Sequence, residues 1–377
     1  MIRFSWRKLI LFCISVLLVP LGIIILHISR SHNSPHRSTL SEQHHESSKI
    51  ITDILTDNHA LYAYVKTYGA KKTIEQLQKL APSQLACHNA AHKTGEFAYQ
   101  ILKDKAYKTC SAGCLDGCYH GVTEAYFRDN GTTNLTEKLK QICGSESTKL
   151  DRWNCIHGVG HGLMAWTNYE LFDALKSCDL LPSDQETCYN GVFMENITGA
   201  STQLLTDRNN AGHFTKYLNN DPEYPCNIVE DKYKQPCYIH QGTRMLELFN
   251  KSFAKVSQEC LKAPQAYQIS CFYGIGLAAR YQYFDNLYAT IFDCSFVPKG
   301  EFRTACLRMA AVSFLLDRDE DNAILFCKIL TDNTEKATCY RSISQSAFDV
   351  IPSKDNVRLF CLKEEFSYQY PCLKQVQ

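Results

Sequence analysis

Apolar and polar positions divide the chain into three stretches. Leu9 to Ile28 is predominantly apolar and carries no charged residue, a length that suits a helix crossing a bilayer. Ser29 to Ser48 is polar, rich in Ser and His and without apolar period, the pattern of a flexible stalk. From about Ile50 onward helical spacing takes over. The segments CYHGVTEAYF, CIHGVGHGLM, CYNGVFMENI, CFYGIGLAAR and CYRSISQSAF each place an aromatic residue or Ile after the cysteine, and Val or Ile three positions further. Stretches such as ELFDALKSC, KSFAKVSQEC and DNAILFC repeat the same periodicity and end on a cysteine. This predicts an all-α chain: a short cytoplasmic N-terminus (1–8), a transmembrane signal anchor (9–28), a stalk (29–49) and an extracytoplasmic helical domain (50–377), with a polar insertion about 206–224.

Cysteine sharpens the picture. The 19 cysteines are too many for a reducing cytosol. Cys118, Cys155, Cys188, Cys237, Cys271, Cys306, Cys339 and Cys372 form one ladder, with steps mostly of 33 to 35 residues. Cys143, Cys178, Cys226, Cys260, Cys294, Cys327 and Cys361 form a second ladder, each 10 to 12 residues ahead of a member of the first. Two interleaved ladders of one period are the signature of a repeat. The residues before the first-ladder cysteines (Gly117, Asn154, Thr187, Pro236, Ser270, Thr338, Pro371) are types that cap or begin a helix, so each of these cysteines is expected to open one. The second-ladder cysteine closes the helix before it. The unit is helix, turn, helix, about 34 residues long, stapled Cys143–Cys155, Cys178–Cys188, Cys226–Cys237, Cys260–Cys271, Cys294–Cys306, Cys327–Cys339 and Cys361–Cys372. Each staple contributes about 3 kcal/mol by loop-closure entropy. Cys87, Cys110, Cys114 and Cys118 form two further bridges of undetermined pairing.

In period, helix pairing and cysteine placement, from about Cys87 to Cys372, the chain resembles the tetratricopeptide-like α-solenoids, particularly their secreted cysteine-rich members. The resemblance implies architecture and no particular activity. A solenoid of this class implies repeats that touch only their neighbours.

The oxidising compartment that these bridges require fits the N-terminal span. Arg3, Arg7 and Lys8 precede it and favour an N-in orientation, which places the bulk in a periplasm, secretory lumen or extracellular space. A cleaved signal peptide is the alternative, but no small-x-small site follows in HISRSHNSPHRS. With 40 Lys and Arg against 39 Asp and Glu, the chain lacks the basic excess that a nucleic-acid partner demands. GxSxG, P-loop and dinucleotide fingerprints are absent, and DRDEDN at Asp317 reads as a solvated turn. Asn130, Asn134, Asn196 and Asn250 begin glycosylation sequons.

The informative polar residues lie in the first repeats. His120 and His157 follow their ladder cysteines by two, and Glu124 and His161 stand four further on. His88 and His92 form a like pair after Cys87, one residue early, with Glu96 four beyond His92. Residues at i and i+4 share a helix face, and equivalent slots stack between repeats, so imidazoles on adjacent helices can converge on one or two metal ions. The slot of His120 and His157 holds Asn190, then Ile239, Tyr273, Arg308 and Arg341, so the repeat itself does not demand His. By helical phase these slots flank the core face rather than form it. His88, His92, His120, His157 and His161 are the expected ligands of one or two first-row transition ions, iron, copper, zinc or manganese. Glu124 and Glu96 are expected catalytic carboxylates, and Glu195 an outer ligand. The function expected is a metal-dependent oxidoreductase, with hydrolysis second. The alternative is a non-catalytic scaffold whose concave face binds a protein or peptide. Gly121, Gly158, Gly191 and Gly274 recur three residues after a ladder cysteine and are expected to allow close helix packing.

Overall fold

A computed structural model of the protein describes residues 53–376, apart from 82–83, 112, 115, 144–147, 207–214 and 284–285. These belong to the unit Lys49–Gln377. The N-terminus, apolar span and stalk expected over 1–49 lie outside the described residues, among which no helix is long and apolar enough to cross a membrane.

The regular elements among the described residues are all helical. Helices α1 (Asn58–Tyr68) and α2 (Ala70–Leu80) precede α3 (Gln84–Leu102), and two 3₁₀ turns lead to α4 (Gly117–Asn130). Then follow α5 (Leu135–Cys143), α6 (Lys149–Trp166), α7 (Leu171–Asp179), α8 (Gln185–Thr206), α9 (Asp231–Leu248) and α10 (Phe253–Cys260). The array continues with α11 (Gln265–Tyr283), α12 (Leu287–Cys294), α13 (Glu301–Leu316), α14 (Glu320–Ile329), α15 (Asn333–Val350), α16 (Lys354–Lys363) and α17 (Phe366–Val376). The longer helices α3, α4, α6, α8, α9, α11, α13, α15 and α17 pack one on the next in chain order. Each short helix from α7 onward touches the longer helix on either side of it. The buried residues form one continuous cluster along the array, including Phe127, Phe193, Phe272, Phe314 and Phe360.

Disulfides join the last turn of a short helix to the longer helix that follows: Cys143–Cys155, Cys178–Cys188, Cys260–Cys271, Cys294–Cys306, Cys327–Cys339 and Cys361–Cys372. Cys226–Cys237 departs from that rule, because Cys226 lies in a run of turns rather than at a helix end. That run follows directly on the polar insertion, of which 207–214 lie outside the described residues. The remaining four cysteines pair as Cys87–Cys114 and Cys110–Cys118, across the loop between α3 and α4.

Cys118 opens α4 as expected, one residue after Gly117, and Cys188 lies in the first turn of α8, but most first-ladder cysteines do not open their helices. Cys155, Cys237, Cys271 and Cys339 lie nearly two turns inside α6, α9, α11 and α15, and Pro236 lies within α9. The true caps stand earlier. Thr148 Oγ1 accepts from Asp151 N at 3.0 Å, and Asp332 Oδ1 from Thr334 N at 2.9 Å and Glu335 N at 3.1 Å. The first turns of these helices, such as KLDRWN and DKYKQP, are mostly polar and bury single residues, Leu150 and Tyr233, too few for apolar periodicity to register. Three longer helices end alike, with a backbone bond five residues back: Tyr169 N to Met164 O, Lys251 N to Leu246 O and Asp319 N to Phe314 O, at 2.7 to 2.8 Å. Tyr169, Lys251 and Arg318 adopt positive φ there, the left-handed step that turns the chain into the next short helix.

The array also meets itself, against the expectation of neighbour-only contacts. Helix α6 touches α15. Asp151 Oδ1 pairs with Arg318 Nη2 at 2.8 Å, and Lys149 Nζ with Asp349 Oδ1 at 2.7 Å. The turn around Asp317 is therefore not simply solvated: Asp317 Oδ2 lies 3.3 Å from Arg280 Nη2 and Arg318 holds the seam. A rotation repeated at every hairpin accumulates, and here it returns α15 to α6. Of the sequons, Asn196 is fully buried and bonded to Thr215 Oγ1 at 2.5 Å, so the folded chain cannot present it to a glycosylating enzyme.

Candidate metal centre

Five consecutive longer helices carry the polar residues singled out in the sequence. His88 and His92 lie on α3, His120 and Glu124 on α4, Trp153, His157 and His161 on α6, Asn190, Met194 and Glu195 on α8, and His240 on α9. Glycine brings these backbones together. A Cβ on Gly121 would fall on the carbonyl oxygen of His92, and one on Gly191 on that of His157. Gly95 and Gly160 stand likewise against the carbonyls of Cys118 and Cys188. Gly158 differs: its nearest neighbours, Thr123 Oγ1, Tyr107 Oη and Tyr119 O, are at 3.5 Å, ordinary contact distance. The packing explanation holds for Gly121, Gly191 and Gly274 and fails for Gly158.

Equivalent slots do stack. Tyr273 and Arg308, two occupants of the slot held earlier by His120 and His157, meet at 3.2 Å. Among the histidines the stacking produces two triads. Ligand nitrogens of His88, His92 and His120 lie within 4.8 Å of one another, and so do those of His120, His157 and His161. His120 belongs to both.

The rings are not at the margin of the core, as helical phase suggested. His88, His120, His157 and His161 are buried, and His92 is partly so. The helices that carry them are covered on more than one side, so the apolar stripe does not mark the whole buried surface.

Hydrogen bonding orients the imidazoles. His88 Nδ1 lies 3.0 Å from the carbonyl oxygen of Cys114, and His161 Nδ1 lies 2.7 Å from Glu195 Oε2. An oxygen acceptor requires a proton on Nδ1, which leaves the Nε2 lone pair free in a neutral ring. Glu124 Oε1, 3.3 Å from His92 Nδ1, favours the same tautomer there. Tyr169 donates to Glu195 Oε1 at 2.8 Å, so the carboxylate is held from both sides.

The freed lone pairs of His88 and His92 then face each other, and that of His161 faces His157 Nε2, on a ring whose tautomer no acceptor sets. His88 Nε2 is 3.1 Å from His92 Nε2, which is 3.2 Å from His120 Nδ1; His161 Nε2 is 3.1 Å from His157 Nε2. Two nitrogens bound tetrahedrally at about 2.0 to 2.1 Å to one ion stand about 3.3 Å apart. His120 Nε2 and His157 Nδ1 are buried without a hydrogen-bond partner. Burial, reinforced by the neighbouring imidazoles, holds His88 down to about 3 and His120 and His157 well below the usual histidine range. Those three rings are thus kept neutral, the state in which imidazole ligates a metal.

Glu124 joins the centre through His92. Glu96 does not: its carboxylate pairs with Lys93 at 3.1 Å on its own helix, and it belongs to neither triad. Glu195, one residue off the stacking slot, reaches His161. Sequence reasoning overlooked four neighbours. Met194 Sδ lies 3.3 Å from His157 Nε2, and the Trp153 indole stacks on His157 at 4.6 Å. Tyr169 buttresses Glu195, and buried His240 bonds Asn190 Oδ1 through Nε2 at 2.7 Å. Met194 could have been found, since it stands six residues after Cys188, as Glu124 and His161 stand six after Cys118 and Cys155.

Five imidazoles, an orienting carboxylate and a nearby thioether form a donor set able to hold first-row transition ions. Comparison with known proteins adds no relative: no family, curated protein or solved structure matches this chain.

Proposed function

We propose that the protein binds one or two first-row transition-metal ions in the histidine centre and acts as a metal-dependent oxidoreductase of an oxidising, extracytoplasmic compartment. The observation that carries this reading is the opposed Nε2 atoms of His88 and His92 at 3.1 Å, both with Nδ1 turned to oxygen. Lone pairs facing each other in a dry interior are costly unless a cation lies between them. Histidines kept only for packing would turn their nitrogens toward backbone oxygens. Redox use is favoured over a closed structural site by the absence of thiolate donors: the cysteines from Cys87 to Cys372 are committed to nine disulfides. Glu124 is placed to accept or deliver a proton beside His92.

Metal analysis of the purified chain, refolded with iron, copper, zinc and manganese each present, tests the reading. Stoichiometric retention that falls when His157 and His161 are both changed to Ala supports it; a chain that retains none of the four sinks it. Anchoring by Leu9–Ile28 belongs to the same proposal, and a chain recovered in soluble form with a new N-terminus in the stalk would show a cleaved signal peptide instead.

A scaffold reading draws on a different observation. Tyr288, Phe292 and Phe296, on and just after the short helix α12, are 71%, 61% and 43% exposed, an aromatic surface suited to a protein or peptide partner. It becomes the preferred reading if no metal is retained.

A further inference from the structure

The centre's two halves differ, and the difference bears on how many ions it holds and which. His120 is common to both triads and has two nitrogens to offer. Its Nδ1 faces His92 Nε2 at 3.2 Å, on the side of His88 and His92. Its Nε2 is buried and has no hydrogen-bond partner. The same ring lies flat on that of His161, with centroids 3.7 Å apart and planes 16° apart, so its second nitrogen edge runs alongside a ring of the other triad. A single ion cannot take both nitrogens of one imidazole, whose lone pairs diverge in the ring plane. With Nδ1 turned to His92 and an unpartnered Nε2 to offer beyond it, a ring that belongs to both triads is able to serve two ions.

The second half has a donor the first lacks. Met194 Sδ is 3.3 Å from His157 Nε2, which is itself 3.1 Å from His161 Nε2. A nitrogen at about 2.0 Å and a sulfur at about 2.3 Å from one ion are separated by about 3.5 Å at the tetrahedral angle and about 3.3 Å at roughly 100°. Thioether sulfur is a soft ligand that favours copper, especially Cu(I), over zinc, manganese or iron. On the other side the groups behind the rings are oxygens: the Cys114 carbonyl at His88 Nδ1 and Glu124 at His92 Nδ1.

Resting on the metal-binding reading above, we infer that the centre is a two-ion unit, in which His120 bridges a nitrogen subsite (His88, His92) to a copper subsite (His157, His161, Met194). The two subsites are inequivalent, and the shared ring places the two ions in electronic contact.

The test uses the purified full chain, stripped by chelator and titrated with Cu(I) under anaerobic conditions, with Cu(II) and with Zn(II). Two ions are expected per chain. X-ray absorption at the first equivalent of Cu(I) is expected to show a sulfur neighbour, and Met194→Leu to remove that signal and weaken Cu(I) binding by about tenfold or more, with Zn(II) stoichiometry unchanged. With two Cu(II) bound, the paramagnetic signal is expected to be attenuated by coupling. His88→Ala, which empties only the nitrogen subsite, restores the signal of one isolated copper with its sulfur neighbour intact. Circular dichroism confirms that both variants keep their helices. Binding of a single ion, or copper without a sulfur neighbour, overturns the two-ion assignment and leaves the metal-binding reading standing. No retention of any ion overturns both.

Discussion

The carbonyl oxygen of Cys114 lies 3.0 Å from His88 Nδ1, and Cys114 is bonded to Cys87, the residue immediately before His88 on α3. A staple and a ligand are thus one device: the disulfide ties the loop ahead of α4 to α3 and in doing so sets the acceptor that fixes the imidazole's tautomer. Changing Cys87 and Cys114 together to Ala is expected to lower metal retention at His88 and His92 while far-ultraviolet helicity stays close to that of the parent. Metal content measured beside circular dichroism checks this. Equal loss of both would mean that the bridge supports the fold rather than the site.

Glu195 should matter to the metal almost as much as a ligand does. Its oxygens accept from His161 Nδ1 at 2.7 Å and from Tyr169 Oη at 2.8 Å. Glu195→Gln presents an amide in place of one acceptor oxygen and releases the His161 ring, so metal affinity is expected to fall roughly 10- to 100-fold. Tyr169→Phe removes only the outer bond and is expected to cost less. Competition titration against a chelator distinguishes the two.

Glycines in one sequence slot should respond in opposite senses. Gly191→Ala drives a methyl onto the His157 carbonyl oxygen at a backbone contact that cannot yield cheaply, and a loss of roughly 1 to 3 kcal/mol is expected. Gly158→Ala meets nothing closer than 3.5 Å and gains helix propensity, so it is expected to be neutral or to stabilise by up to about 1 kcal/mol. Thermal unfolding of the two variants side by side decides; equal losses would refute the packing explanation.

Far from the histidines, Glu364 is buried near the C-terminal end of the array, its Oε1 accepting from Ser344 Oγ at 2.8 Å. Desolvation pushes its carboxyl up to about 8. Between the unfolded value near 4.5 and the folded value near 8, the native state holds a proton that the unfolded state has released, so stability falls as pH rises through this window. Below it the contribution is fully present. Glu364→Gln keeps a neutral side chain of the same shape and is expected to flatten the dependence, so that the variant gains on the parent as pH rises from about 5 to about 8. Denaturant midpoints across that range provide the measurement, and parallel curves would show that the carboxyl titrates elsewhere.

The amino-acid sequence by itself determined what repeats and what is local. Period, all-helical class and the seven pairings between the cysteine ladders were legible because each bridge closes only 10 to 12 residues and each helix declares itself through neighbours one turn away. The same slot arithmetic pointed to His120, His157, Glu124 and His161, and applied once more it reaches Met194. Helix starts escaped it because the first turns are mostly polar and carry too few apolar residues to show a period. Tertiary structure alone decided the rest. The pairing of Cys87, Cys110, Cys114 and Cys118 depends on a loop without period. The pairing of Glu96 with Lys93, the contact of Glu195 with His161 and the recruitment of Tyr169 and His240 depend on how each helix is turned against the next, which no spacing within one helix encodes. The seam from Asp151 to Arg318 depends on a small rotation summed over many hairpins, a quantity set by packing at every interface and written at none of them.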